Sequence, residues 1–171
     1  MKTVYLLRHA KSSWDQPSLA DFQRPLAPRG RKAAPLVGAY MARNEFIPDR
    51  VLCSAAERAM ETWDLVSRAL GTDVPTVIRE DFYHASPWTL LAAVQDLPTE
   101  LGSVLLVGHN PTFEDLALAL AATGEDQALA DVARKYPTGA LAILDFFTND
   151  WAGVREGTGY LRGFIRPRSL E

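Results

Sequence analysis

An α/β fold in three layers, with helices on both faces of a mostly parallel central sheet and an antiparallel edge, is predicted by three features of the sequence. Short apolar segments rich in β-branched residues alternate with longer amphipathic ones through most of the chain. Each apolar segment is too short to be a buried helix. Only the last two strand-like segments follow one another without a helix between them, which places an antiparallel pair at one edge. A length of 171 residues, 47% of them hydrophobic and 23% charged, suits one domain over residues 1–171 with a full core.

Thr3 to Leu7 (TVYLL) has the continuous apolar character of a strand buried on both faces. Pro28 to Asn44 opens with a proline suited to a first helical turn and carries Ala33, Leu36, Val37, Tyr40 and Met41 at helical spacing, although Pro35 and Gly38 weaken it. Arg50 to Cys53 is a short strand. Ala55 to Leu70 is an alanine-rich helix with Ala59, Thr62, Val66 and Ala69 on one stripe, closed by Gly71. Pro75 to Ile78 reads as a strand, Pro87 to Leu97 as a helix, Ser103 to Val107 as a second strongly apolar strand and Phe113 to Ala122 as the helix after it. Gln127 to Lys135 is helical, and Ala140 to Phe147 and Tyr160 to Ile165 are the final strands. Lys11 to Ala27 has no clear period and is longer than most structureless connections, a length usually kept for function.

Composition narrows the function classes. With 18 basic and 21 acidic residues and a net charge of −3, the chain has no basic surplus for non-specific nucleic-acid binding. The single cysteine, Cys53, cannot form an internal disulfide. The opening MKTVYLLRHAKS is broken by charge, and no run approaches the roughly 18 apolar residues of a membrane span. These features predict a cytoplasmic protein with neither nucleic acid nor membrane as partner; nothing in the pattern specifies an oligomeric state.

Positive charge stands where the strands end. Arg8 and His9 follow the first strand directly, His109 and Asn110 follow Ser103–Val107 after Gly108, and Arg58 lies about one turn into the helix after Cys53. In open α/β sheets the ligand crevice lies beyond the carboxyl ends of the strands, where helix N-termini present free N–H groups. If these strands are parallel, two arginines and two histidines converge there and repel one another unless an anion joins them. A tetrahedral phosphoryl group suits two guanidinium forks and imidazole donors. A neutral imidazole can also be the nucleophile when an acceptor holds its other nitrogen, and such a site requires neither metal nor cofactor.

Arg8-His9 after an apolar strand, Arg58 within SAAERAMET, and Gly108-His109-Asn110-Pro111 together resemble the histidine phosphatase superfamily, which includes the phosphoglycerate mutases. RHAKSSW, followed by Asp21, Arg24-Pro25-Leu26 and Arg29-Gly30, resembles more specifically its short SixA-type phosphohistidine phosphatases, over about residues 3 to 165. The resemblance implies a phosphoglycerate mutase-like fold, His9 as nucleophile, Arg8 and Arg58 as phosphate ligands and His109 as the second histidine of the pocket. It implies hydrolysis without a metal and a phosphohistidine-bearing signalling or phosphocarrier protein as partner; a small phosphorylated metabolite is the alternative substrate. Ala10 departs from the glycine of the wider superfamily. Glu80 falls near the superfamily's acidic proton donor, with Asp81 competing for the role, and an imidazole leaving group can instead take its proton from water.

Several residues have a second reading. Arg24 and Arg29 are either substrate contacts or a solvated loop face, Trp14 is either a lid or a loop anchor, and His84 is a loop or core histidine or lines the pocket. Cys53 and Arg58 suggest a cysteine-dependent phosphatase, but four residues separate them where that loop needs five, and Cys53 reads better as a small buried residue. Zinc lacks close ligand spacing among three histidines and one cysteine, with arginines nearby to oppose it. A catalytically idle module that only binds phosphoproteins has no need of the nucleophile His9.

Overall fold

The computed structural model describes residues 1–171. Seven strands form one sheet: β1 (Lys2–Arg8), β2 (Arg50–Ser54), β3 (Thr76–Arg79), β4 (Ser103–Gly108), β5 (Ala121–Gly124), β6 (Leu141–Phe146) and β7 (Gly159–Ile165). Five helices accompany them: α1 (Pro28–Arg43), α2 (Glu57–Leu70), α3 (Pro87–Gln95), α4 (Thr112–Leu120) and α5 (Asp126–Arg134). The strand order is β3-β2-β4-β1-β6-β7-β5. From β3 to β1 all neighbours are parallel, whereas β6 runs antiparallel to both β1 and β7.

The apolar strands lie at the centre because alternate side chains are buried on opposite faces. Val4, Leu6, Leu52, Val104 and Leu106 join α3, α4 and α5 in one core. Tyr5, Leu7, Val51, Cys53, Leu105 and Val107 join α1 and α2 in the other. These are the expected three layers.

Two local expectations are corrected. The helix expected over Phe113 to Ala122 ends at Leu120, and Ala121–Gly124 turns into an edge strand parallel to β7. The apolar face of that helix, Phe113, Leu116, Ala117 and Leu120, is complete by then. The antiparallel β6 and β7 therefore lie inside the sheet and β5 forms its border. In α1 the buried face is Gly30, Ala34, Val37, Gly38 and Met41, rotated from the expected stripe. Close approach to α2 selects it: a Cβ on Gly38 would stand 2.3 Å from the Val66 carbonyl oxygen. Glycine marks this seam more strongly than apolar residues do. Gly71 closes α2 in the left-handed conformation, as expected.

Candidate active site

Register explains why the charged residues meet. Arg8 pairs with Gly108 and Cys53 with Val107 across the adjacent parallel strands β1, β4 and β2, so all three end at one level. His9, His109 and Ser54 emerge there, and α2 begins three residues after Ser54, placing Arg58 in its first turn. The backbone ties the two histidine segments together: His9 N–H donates to the Gly108 carbonyl at 2.9 Å, and Gly139 N–H donates to the Arg8 and His9 carbonyls at 3.1 and 2.9 Å. Ala10 N–H donates to Thr62 Oγ1, which donates to the Arg58 carbonyl, so α2 is anchored to the segment following His9.

The tautomer of His9 follows from its partner. Nδ1 lies 2.7 Å from the Ala10 carbonyl oxygen. A carbonyl only accepts, so Nδ1 carries the proton and Nε2 keeps a free lone pair. Burial pushes the imidazole down to about 3, with His109, Arg58 and Arg8 adding repulsion against the Ala10 hydrogen bond, which acts the other way. His9 is neutral at pH 7.

His109 is set by a residue the sequence analysis missed. Ser54, fully buried, lies 2.8 Å from His109 Nε2 and accepts from the Ala56 N–H at 3.2 Å. Its hydroxyl proton has no other partner, so it donates to Nε2 and leaves the His109 proton on Nδ1. That Nδ1 is buried without a protein partner. Burial, followed by Arg58, lowers His109 to about 4. The two imidazole centroids are 5.3 Å apart.

The arginines are held differently. Arg8 Nη1 donates to the Tyr136 carbonyl at 2.8 Å, while its buried Nε has no partner. Arg58, also buried, donates from Nη1 to the Asp21 carbonyl at 2.7 Å and from Nη2 to Asp21 Oδ2 at 3.0 Å. Asp21 accepts as well from Tyr83 and Arg24. These contacts, the Tyr83 hydroxyl foremost, hold its carboxyl well below the usual range, so Asp21 is a fixed anion bracing Arg58 and not a proton donor. The Asp21–Tyr83 partnership has no signal in sequence spacing, because 62 positions separate the two.

The long loop proves to be built. Ser12 bridges to Leu26 in antiparallel fashion, and Asp21–Gln23 forms a 3-10 turn. Arg24 folds it from within: Nε donates to the Ser13 carbonyl, Nη1 to Asp21 Oδ1 and Nη2 to Ser12 Oγ, while Trp14 stacks on the guanidinium at 3.2 Å. Arg24 is therefore a buried loop-builder and not part of a solvated face. Both Arg24 and the largely exposed Trp14 line a pocket of about 280 Å³ around Arg8, His9, Arg58 and His109. Lys11, Ser12, Asn110 and Thr138 complete its wall.

Other candidates fall outside this pocket. Glu80 is exposed at the start of a 3-10 turn, and Asp81 is turned onto Arg79 at 2.7 Å; neither lines the pocket. His84 is exposed and stacks with Tyr83 at 4.1 Å. Arg29 borders a neighbouring groove. Cys53 faces the α1–α2 core, and burial pushes its thiol up to about 12, far from a thiolate nucleophile. No three His, Cys, Asp or Glu side chains are grouped to hold a metal, and no helix is long and apolar enough to cross a membrane.

His9, whose Nε2 keeps its lone pair, His109 and the guanidinium groups of Arg8 and Arg58 thus line one small cavity. Such a set can bind a tetrahedral anion and accept its central atom on nitrogen.

Comparison with known proteins fits this geometry. The profile of the Histidine phosphatase superfamily (branch 1) matches residues 4–85. An uncharacterised protein of Mycobacterium tuberculosis is 38% identical over 164 residues, covering 95% of this chain and all of the relative. A crystal structure from Agrobacterium tumefaciens, named as a candidate phosphohistidine phosphatase SixA, is 34% identical with a TM-score of 0.82, covering 97% of this chain and 98% of the other. A protein so named from Nakamurella multipartitia is 28% identical with a TM-score of 0.81, covering 97% and 96%.

Proposed function

Because this chain belongs to the histidine phosphatase superfamily, we propose that it is a metal-independent phosphohistidine phosphatase acting on a phosphohistidine-bearing signalling or phosphocarrier protein. The observation that carries the mechanism is the 2.7 Å contact of His9 Nδ1 with the Ala10 carbonyl, which leaves Nε2 unprotonated on a residue lining the pocket. In the first step Nε2 attacks phosphorus in line, the phosphorus–nitrogen bond of the substrate breaks, and the departing imidazole takes a proton from water. In the second, water attacks phospho-His9, releasing inorganic phosphate and restoring Nε2. Arg8 Nε, Arg58 and His109 Nδ1–H are the groups that carry the charge gathering on the equatorial oxygens.

The position of Glu80 away from the pocket supports a reaction that makes little demand on a carboxylic acid. A phosphoramidate meets that condition better than an ester, because an imidazole protonated from water departs as a neutral molecule, whereas an unassisted ester must expel a strongly basic alkoxide. The cavity, about 280 Å³, stands at the lower end of the roughly 300–1,000 Å³ that usually encloses a small molecule. That favours a side chain projecting from a protein.

The test is a panel of phosphohistidine domains, sugar phosphates and phosphoglycerates assayed with wild type and His9→Ala. At least one phosphohistidine protein is expected to exceed every ester in kcat/KM by more than a hundredfold. Rapid quench is expected to trap an acid-labile, alkali-stable phosphoenzyme in wild type alone, and chelators are expected to leave the rate unchanged. A better ester substrate would withdraw the substrate class, full activity of His9→Ala would withdraw the mechanism, and an absence of turnover with retained phosphoprotein binding would leave a binding module.

A further inference from the structure

A second, larger groove of about 710 Å³ opens beside the pocket and shares Lys11 and Thr138 with it. Its walls carry six cations from four separate segments. Lys11 follows β1, Arg29 opens α1, Arg134 and Lys135 end α5, and Arg166 and Arg168 flank the start of the last 3-10 turn. Ala33, Pro137 and Pro167 are its only side chains without a polar group. In a chain of net charge −3, a third of all the basic residues stand round one trough.

Asp131 and Glu171 also line the groove, so its cations outnumber its acidic residues six to two. Asp131 approaches Arg134 at 4.0 Å and Arg166 at 3.6 Å. Lys11, Arg29, Lys135 and Arg168 are exposed and form no ion pair. Cations at the end of a helix ordinarily offset its dipole, which accounts for Arg134 and Lys135. It does not account for the other four, which come from different elements and still face the same space.

We infer that this groove docks an acidic face of the phosphohistidine-bearing partner, with carboxylates flanking the phosphorylated histidine; the inference deepens the function proposed above and rests on it. A tight small-molecule polyphosphate site needs convergent, ordered donors. Here the unpaired cations are exposed and spread along the trough, matching carboxylates distributed over a protein surface. Rim charges of this kind steer encounter and choose partners. They also offset the repulsion that an acidic partner meets from the enzyme's net negative charge.

Lys135→Glu/Arg168→Glu tests this, since both residues are exposed and lie outside the catalytic pocket. With an acidic phosphohistidine domain as substrate at low salt, the double variant is expected to lose roughly ten- to thirtyfold in kcat/KM. That loss appears in KM, and p-nitrophenyl phosphate turnover stays within twofold of wild type. Wild-type kcat/KM for the domain falls as salt rises, and the variant flattens this dependence. A second arm needs no turnover: the His9→Ala protein is titrated with fluorescein-labelled heptaglutamate, and the groove substitutions are expected to abolish binding. If heptaglutamate binds through the groove but no phosphohistidine protein is hydrolysed, the groove stands and the substrate class falls. Full activity of the double variant on the acidic domain, or equal losses on both substrates, overturns the inference. So does stronger competition by ATP or by a single-stranded oligonucleotide than by unlabelled heptaglutamate.

Discussion

Ser54→Ala removes a single oxygen atom, yet it acts on the second histidine of the pocket. In wild type the hydroxyl donates to His109 Nε2 at 2.8 Å and accepts from the Ala56 N–H at 3.2 Å. Without it, Nε2 joins Nδ1 as a buried nitrogen lacking a protein partner. Stranding a buried polar group costs about 1–3 kcal/mol, so the variant is expected to unfold at lower denaturant with an unchanged m-value. The functional effect has a separate origin. With nothing to hold the proton on Nδ1, the imidazole divides between tautomers and its aim at the phosphoryl oxygens loosens. We expect a loss of about 1–2 kcal/mol in transition-state stabilisation, roughly five- to thirtyfold in kcat/KM, below the value for removing a whole oxyanion donor. The assay is steady-state turnover of a phosphohistidine domain, paired with nitrogen-15 spectra of the imidazoles. Those spectra are expected to show Nδ1–H in wild type and a tautomer mixture in the variant. Unchanged kcat/KM with an unchanged His109 tautomer would refute the role given to Ser54.

Arg58→Ala is expected to lose about 2–4 kcal/mol of transition-state stabilisation, and a tenfold or smaller fall in kcat/KM would place Arg58 outside the chemistry. Because burial lowers His9 to about 3 and His109 to about 4, both bind protons more readily in the unfolded chain, whose histidines titrate near 6.5. Their contribution to stability is therefore fully present above about pH 6.5 and is lost as pH falls through the folded values; imidazole titration midpoints near 6.5 in the native protein would refute this. Gly38→Ala would set a Cβ 2.3 Å from the Val66 carbonyl and 2.8 Å from Ala69 Cβ. It is expected to cost about 1–3 kcal/mol as overpacking, read from the denaturation midpoint, and an unchanged midpoint would mean that the α1–α2 seam yields freely.

The parts of the molecule that sequence exposes are those governed by local rules. β1 and β4 are continuous apolar runs, and a charged residue immediately after such a run must leave the sheet at its edge. Arg8, His9 and His109 are therefore placed at that edge by the sequence alone. α1 shows where pattern fails: its packing face was chosen by the absence of side chains at Gly30 and Gly38, and a search for apolar periodicity is blind to that. Ser54 and Asp21 were harder still. Ser54 acts through His109, and Asp21 through Arg58 and Tyr83, partners that lie 55, 37 and 62 residues away, and a lone serine or aspartate near a turn usually serves the turn. Glu80 was named through the resemblance to the superfamily's acidic proton donor, and it stands outside the residues that line the pocket.

The short backbone contacts among His9, Gly108 and Gly139 have a consequence for how such an enzyme diversifies. They sew His9 into the sheet itself, whereas one wall of the pocket is a strap folded around Arg24 and Trp14. Changes in the strap that spare Asp21, which braces Arg58, can therefore reshape that wall while the backbone seating of His9 stays as it is.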